Sequence, residues 1–178
     1  MKAVHRGLLA VVLSCGVAQA GARDDALPFA FAPPDTLATP VVSHAAIGTT
    51  YAYLAEDGAR PLRLTITLMP AGEVEARFGA LDAAACVNPF LDELAHTHEH
   101  FFAAAQARPL VVAGHELPQF RWTGEKRGRT LTGIVSCGRL GRTYYVVDFV
   151  DALAPSTRSF PDLRERLRRL QATNRSPR

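Results

Sequence analysis

The fold is decided by residues 119–150, which read QFRWTGEKRGRTLTGIVSCGRLGRTYYVVDFV. Three runs rich in β-branched and aromatic residues, 119–123, 129–138 and 142–150, alternate with two short turns that contain glycine and charged residues. Because parallel strands need long crossover connections, these short turns predict an antiparallel three-stranded meander. The last run is apolar almost throughout, which is typical of a central strand covered on both faces.

A second pair of strands precedes the meander. Residues 51–54 and 62–68 flank a turn of Glu56, Asp57 and Gly58, and together they predict a β-hairpin. Apolar and polar residues alternate along the second of these strands. This alternation predicts a strand with one buried face and one solvated face.

Helices are predicted between and after these strands. A first helix is indicated by apolar residues at helical spacing, namely Val74, Phe78, Leu81 and Ala85. Asn88 followed by Pro89 offers an N-cap and a first helical proline, which predicts a second helix over 89–107. Ser159 and Asp162 form a capping box, so a terminal helix is expected to begin at Ser159 and to dock on the sheet.

These elements predict a single α+β domain over 49–172. Its antiparallel sheet combines the N-terminal hairpin with the C-terminal three-stranded meander, and helices pack against it. Residues 21–48 are rich in alanine and proline, so they are expected to form an extended lead-in with a short strand at 29–31. Residues 173–178 are expected to be a frayed tail.

Residues 1–20 carry the features of a secretory signal peptide. Two basic residues precede an apolar run at 8–17, which ends on the triplet Ala-Gln-Ala at 18–20. Cleavage after Ala20 would place the mature chain in the periplasm or outside the cell, where thiols oxidise. An alternative interpretation takes Cys15 as the lipidated first residue of a lipoprotein, which would anchor the chain to a membrane.

Charge and motifs argue against several function classes. The 178-residue chain has a formal net charge of +3, and removal of residues 1–20 leaves 18 basic against 17 acidic residues. A nearly neutral chain gives no electrostatic argument for a nucleic-acid partner. The sequence has no nucleophile elbow, phosphate-binding loop or dinucleotide fingerprint. We therefore expect a protein that is not an enzyme and needs no cofactor.

Cys86 and Cys137 are the only cysteines after residue 20. An even pair in an exported domain predicts a disulfide, with Cys86 at the end of the first helix and Cys137 on a strand face directed inward. Such a bond requires that the helical region pack directly on the meander. Closure of a loop of about 50 residues would stabilise the fold by on the order of 4 kcal/mol.

The sharpest local feature is the sequence His-Thr-His-Glu-His at 96–100. On the predicted helix His98 falls within the apolar stripe, whereas His96 and His100 share the opposite face with Glu93. Two imidazoles one turn apart beside a carboxylate can bind Zn²⁺ or Cu²⁺. A third ligand would have to come from another segment, with candidates His44 and His115. The alternative interpretation, which the sequence favours, is a solvated helix face with a half-buried His98.

Asp148 lies inside the apolar run of the last meander strand. An unpaired buried charge would be costly, so this carboxylate is expected either at a solvated edge or paired with an arginine of the terminal helix. No second residue in the sequence is visible as a catalytic companion for it.

The order of elements resembles the small α/β/α domains of the PsbP-like and DcrB-like envelope proteins. The resemblance rests on this order and on residues 144–170, a strand that leads through Pro155, Ser156 and Thr157 into an amphipathic helix. It implies a non-enzymatic accessory or binding domain, and it assigns no site residue. We therefore expect an exported accessory or binding protein with an envelope partner, and a periplasmic zinc- or copper-binding protein as the alternative.

Overall fold

A computed structural model describes residues 29–55 and 60–172. The predicted signal peptide, Cys15 and the predicted tail at 173–178 lie outside the described residues. The strands run β1 Phe29–Ala30, β2 Val41–Ala45, β3 Gly48–Leu54, β4 Arg63–Pro70, β5 Glu99–Ala105, β6 Leu110–Val112, β7 His115–Leu117, β8 Gln119–Lys126, β9 Arg129–Leu140, β10 Thr143–Ala152 and β11 Gln171–Ala172. The helices run α1 Ala71–Phe78, α2 Ala83–Thr97 and α3 Leu153–Arg168.

Seven strands form one antiparallel sheet in the order β2-β3-β4-β10-β9-β8-β5. The predicted meander appears as β8, β9 and β10, and the predicted hairpin as β3 and β4. The pairing of β4 with β10 joins the hairpin to the meander, so β10 occupies the middle of the sheet. The predicted α+β class and the central position of the last meander strand are therefore confirmed.

Helices cover the sheet on both faces. Tyr145, Val147 and Phe149 of β10 enter the core beneath α3, whereas Tyr144 and Val146 enter the core beneath α1 and α2. This alternation follows from the two-residue period of a strand, and it makes the domain a three-layer arrangement. None of the helices in the described ranges is long and apolar enough to cross a bilayer.

The solvated face predicted for β4 is only partly solvated. Leu64 and Ile66 are buried as expected, but Thr67 and Met69 on the opposite face are buried as well. The reason is α1, which packs over that end of β4 through Ala71 and Val74.

The segment expected as a lead-in contributes to the fold. Its short strand is confirmed as β1, which pairs with β11 after α3. Phe29 and Leu37 are buried in the α3-side core. The seven-stranded sheet begins at Val41, because β2 pairs with β3 at its edge.

The predicted second helix over 89–107 is wrong at both ends. Asp82 is the N-cap of α2 and accepts a hydrogen bond from the Ala85 amide at 2.7 Å, so Pro89 lies inside the helix. The helix ends at Thr97, and the chain continues as β5, which completes the edge of the sheet beside β8. Backbone pairing with β8 outweighs the helical spacing of the apolar residues there.

The predicted start of the terminal helix is also wrong. The helix begins at Leu153, where Pro155 is tolerated because the first-turn amides have no intrahelical partner. Ser159 is therefore a residue of the second turn and not an N-cap, and its hydroxyl donates to the Asp151 carboxylate at 2.6 Å.

The two cysteines lie at disulfide distance. Cys86 and Cys137 have Cα atoms 5.9 Å apart, and their sulfur atoms are joined. The predicted proximity is confirmed, although Cys86 belongs to the first turns of α2 and not to the end of the first helix. The pair holds α2 against β9 in the core on that side of the sheet.

Candidate functional site

One row of residues across the sheet forms the floor of a cleft beside the C-terminal end of α2. Strand register aligns Trp122 of β8, Gly133 of β9, Val150 of β10, Arg63 of β4 and Leu54 of β3. Residues paired across neighbouring strands project from the same face, so these positions all belong to the α1–α2 side. The row therefore runs from the helix-covered half of the sheet to its open half.

Gly133 allows the indole of Trp122 to lie across the sheet. A Cβ atom at Gly133 would collide with Cε2 and Nε1 of Trp122. Any larger residue would therefore displace the indole, which is almost completely buried. The aromatic part of the cleft floor depends on this glycine.

The cleft has a volume of about 470 Å³. The end of α2 forms one wall, and the ends of β3 and β4 form the other. Its lining combines mainly apolar residues with several charged ones and consists of Leu54, Ala55, Arg60, Pro61, Leu62, Arg63, Glu93, Leu94, Thr97, His98, Trp122, Lys126, Leu131 and Val150. Apolar walls around a few polar groups are typical of a binding site.

An ion pair lies next to the cleft floor: Arg63 is one of the lining residues, and Asp148 is two residues before Val150 on the same face of β10. Nη2 of Arg63 donates to Oδ2 of Asp148 at 2.7 Å, with 43% of the Arg63 side chain and 13% of the Asp148 side chain exposed. Nε of Arg63 and Oδ1 of Asp148 are buried, and neither has a hydrogen-bond partner among the described residues. One donor and one acceptor are therefore left over next to the cleft.

The expected partner of Asp148 is corrected by this geometry. An arginine does pair with the carboxylate, but it is Arg63 of β4 and not an arginine of the terminal helix. Asp148 shares the face of Tyr144 and Val146, whereas α3 packs on the opposite face of the sheet. The two-residue period of β10 thus separates Asp148 from every side chain of α3.

His98 contributes an imidazole to the wall of the cleft. It adopts an extended conformation directly after α2, and its ring lies 5.1 Å from the Trp122 ring. Nδ1 of His98 lies 3.0 Å from the Leu94 carbonyl, which can only accept, so Nδ1 carries the hydrogen and Nε2 is left as an acceptor. Burial lowers the pKa of His98 from its ordinary value, and the positive charges of Lys126 and Arg63 lower it further.

The helix face that His96 and His100 were expected to share does not form, because α2 ends at Thr97. His96 is near the end of α2, where its Nδ1 lies 2.6 Å from the Asp92 carbonyl, whereas His100 is on β5 with φ +50°. Glu93 lines the cleft, and His44 lies on β2 at the far edge of the sheet. In the described ranges no three His, Cys, Asp or Glu side chains are placed to hold a metal ion.

Arg63 and Trp122 belong to no local motif of the sequence, so the sequence predicts no role for them. The available signals were an arginine inside an alternating apolar strand and a glycine in the middle of a buried strand. The pairing of β4 with β10 places Arg63 beside Asp148, and the pairings of β10 with β9 and of β9 with β8 bring Gly133 and Trp122 into the same part of the sheet.

Comparisons with known proteins give likeness in fold only. No protein-family model matches the chain, and no curated protein matches it. Among solved structures, PA94 of Pseudomonas aeruginosa, a protein of unknown function, is 14% identical with a TM-score of 0.43, over 82% of this chain and 88% of that chain. LpqN of Mycobacterium tuberculosis, which is involved in cell envelope biogenesis, is 15% identical with a TM-score of 0.47, over 80% and 82% of the two chains.

Proposed function

We propose that this chain is an exported, non-enzymatic accessory protein that binds a segment of another envelope protein in the cleft beside α2. The observation that carries this proposal is the ion pair of Arg63 and Asp148, whose leftover donor and acceptor lie next to a largely apolar cleft that Arg63 lines. Buried polar atoms are normally hydrogen-bonded, so such a pair favours a site that a bound molecule completes.

A peptide group has the chemistry that this pair lacks. Its carbonyl oxygen can accept from Nε of Arg63, and its N–H can donate to Oδ1 of Asp148. Both atoms are covered in the free chain, but the side chain of Arg63 is 43% exposed and can shift to admit an incoming group. The apolar walls around Leu94 and Val150 would then hold the neighbouring side chains of the bound segment.

Export is supported by two independent features. The predicted leader at 1–20 directs the chain out of the cytoplasm. The joined pair of Cys86 and Cys137 suits an oxidising compartment, where structural disulfides persist. A periplasmic or secreted location follows from this proposal.

Binding, and not catalysis, is supported by the surroundings of His98. Within the described cleft lining, the hydroxyl nearest the imidazole belongs to Thr97, which lies 3.1 Å from Nδ1 and not beside Nε2. That hydroxyl also lies 2.9 Å from the Glu93 carbonyl, to which it donates. A nucleophile that His98 activates would have to donate to Nε2, so this arrangement does not favour nucleophilic catalysis.

The test is site-specific photo-crosslinking in cells that express the full chain. A photoreactive residue replaces Leu54, which is exposed at the open end of the cleft floor, and a matched control replaces Phe102, which is exposed on the edge strand β5. We expect a discrete crosslinked protein from position 54 that is absent from position 102. Fractionation should find the chain outside the cytoplasm with Cys86 and Cys137 oxidised. Retention in the cytoplasm, or identical products from both positions, would overturn the proposal.

A further inference from the structure

Three arginines meet where α3 crosses the meander, on the opposite face of the sheet from the cleft. Arg121 of β8 lies over the ring of Phe160, with its Cζ atom 5.5 Å from the ring centroid. Arg164 follows one helical turn after Phe160, and its Nη2 lies 3.4 Å from Oε1 of Gln119. The amide nitrogen of Gln119 donates to the backbone carbonyl of Arg108 at 2.6 Å. We call Arg108, Arg121 and Arg164 the arginine cluster.

No carboxylate of the described ranges neutralises the arginine cluster. Two neighbouring arginines are paired with a carboxylate one turn earlier: Arg166 of α3 with Asp162 at 3.0 Å, and Arg169, directly after the helix, with Glu165 at 2.8 Å. The three members of the cluster form no such pair within the part of the chain that the structure describes. Three like charges are thus held together by packing and by Gln119, with no opposite charge between them.

Arg164 is the half-buried member of the cluster. Its Nε is buried and has no hydrogen-bond partner in the described structure. Burial lowers the pKa of Arg164, and the positive charges of Arg108 and Arg121 lower it further. A guanidinium presents five N–H donors, and here one of them makes a single long hydrogen bond to Gln119. The fold therefore holds a cation in a place where its donors are largely unused.

We propose that the arginine cluster binds a phosphate-type oxyanion on the α3 side of the sheet. Arg164 would supply the recessed donors, Arg121 is held in position by Phe160, and Arg108 would close over the anion from the loop before β6. Guanidinium groups match the oxygen geometry of phosphate and bind it through paired hydrogen bonds. Three positive charges without a carboxylate favour a phosphate group, whose several oxygens can accept from more than one guanidinium, over a single carboxylate group. This site does not rest on the function proposed for the cleft.

The test is a titration of the full chain with inorganic phosphate. Binding is monitored by NMR through the ¹H–¹⁵N chemical shifts of the arginine Nε–H groups. We expect the Nε–H resonance of Arg164 to move along a saturable curve. Arg164→Gln and the exposed variant Arg121→Gln should each weaken phosphate binding by about tenfold or more, because each removes charge-assisted hydrogen bonds. The control Arg77→Gln on the exposed side of α1 should change the affinity by less than about twofold.

A second arm distinguishes two sources of the same chemistry. Vesicles of phosphatidylglycerol in phosphatidylcholine are sedimented with the chain, and vesicles of phosphatidylcholine alone serve as the control. Co-sedimentation that requires Arg121 and Arg164 identifies a lipid phosphodiester, and binding of inorganic phosphate alone identifies a soluble anion. The proposal is overturned if neither probe binds, or if Arg77→Gln weakens binding as much as the two cluster variants.

Discussion

Replacement of Asp151 by alanine tests how the start of α3 is held to the sheet. The Asp151 side chain is fully buried and accepts four hydrogen bonds. Arg60 donates from Nε at 3.0 Å and from Nη2 at 2.5 Å, Ser159 donates at 2.6 Å, and the Ala152 amide donates at 2.8 Å. One carboxylate thus connects the end of β10, the second turn of α3 and the residues before β4.

The expected cost follows from what the variant leaves behind. Loss of one partner from a buried ion pair destabilises a fold by about 3–5 kcal/mol, and we expect Asp151→Ala to fall in that range. Arg60 is 32% exposed, so solvent screens its charge. The coupling energy between Arg60 and Asp151 in a double-mutant cycle should therefore be smaller than the cost of Asp151→Ala, about 1–2 kcal/mol. Ser159→Ala removes one hydrogen bond to a charged group and should cost about 1.5 kcal/mol.

Urea unfolding with an unchanged m-value is the measurement. Asp162→Ala is the matched control, because this carboxylate is on the same helix, is 48% exposed and pairs with Arg166. We expect the control to cost less than about 1 kcal/mol, as surface ion pairs do. If Asp151→Ala costs no more than the control, the reasoning about this carboxylate is refuted.

Three further outcomes follow from buried groups. Reduction of the Cys86–Cys137 pair, with its sequence separation of 51, should lower the unfolding free energy by on the order of 4 kcal/mol. Calorimetry with and without reductant measures this change, and equal transition temperatures would contradict it. Tyr53→Phe should stabilise the fold by about 1 kcal/mol, because the buried hydroxyl lacks a described hydrogen-bond partner and burial raises the pKa of Tyr53 to about 12. A lower unfolding free energy in urea would show that the hydroxyl has a partner. The unfolding free energy should fall as the pH drops below about 6.5, because the pKa of His98 is lowered on folding and the unfolded chain binds the proton more readily. In His98→Gln the unfolding free energy should depend less on pH in this range.

The strands could be predicted because their signals are local. The meander from β8 to β10 is written in runs of strand-forming residues separated by short glycine turns, and each hairpin closes within a few residues. The apolar run at 144–150 even indicated the middle of the sheet, because burial on both faces removes the usual alternation. For such elements the sequence neighbours are also the structural neighbours.

The helix boundaries could not be predicted in the same way, because they depend on distant partners. Phe101 to Ala105 fit a helical stripe, but the edge of β8 offers Phe102 to Ala105 a continuous run of strand pairing. Ser159 has the properties of an N-cap, but the helix begins six residues earlier, at Leu153. The Ser159 hydroxyl donates instead to the Asp151 carboxylate. In both cases a tertiary contact replaces the role that the local pattern suggests.

The cleft was beyond motif analysis because its parts come from several strands. Arg63, Trp122 and Asp148 are far apart in sequence, and they meet only through the register of β4, β10, β9 and β8. The histidine motif, by contrast, is compact in sequence, but α2 ends at Thr97, so His96 and His100 lie on different elements. Closeness in sequence was therefore a poor guide to the site.

Two ion pairs of the same type show how one strand pair serves both stability and binding. Asp148 and Asp151 lie three residues apart on β10, so they project toward opposite sides of the sheet, whereas Arg63 is the first residue of β4 and Arg60 precedes that strand. On the α3 side Arg60 and Asp151 meet, and every oxygen of that carboxylate is hydrogen-bonded. On the cleft side Arg63 and Asp148 meet through one contact and leave Nε and Oδ1 without described partners. Since stability alone would favour the saturated arrangement in both places, the unsaturated pair is the one that we assign to binding.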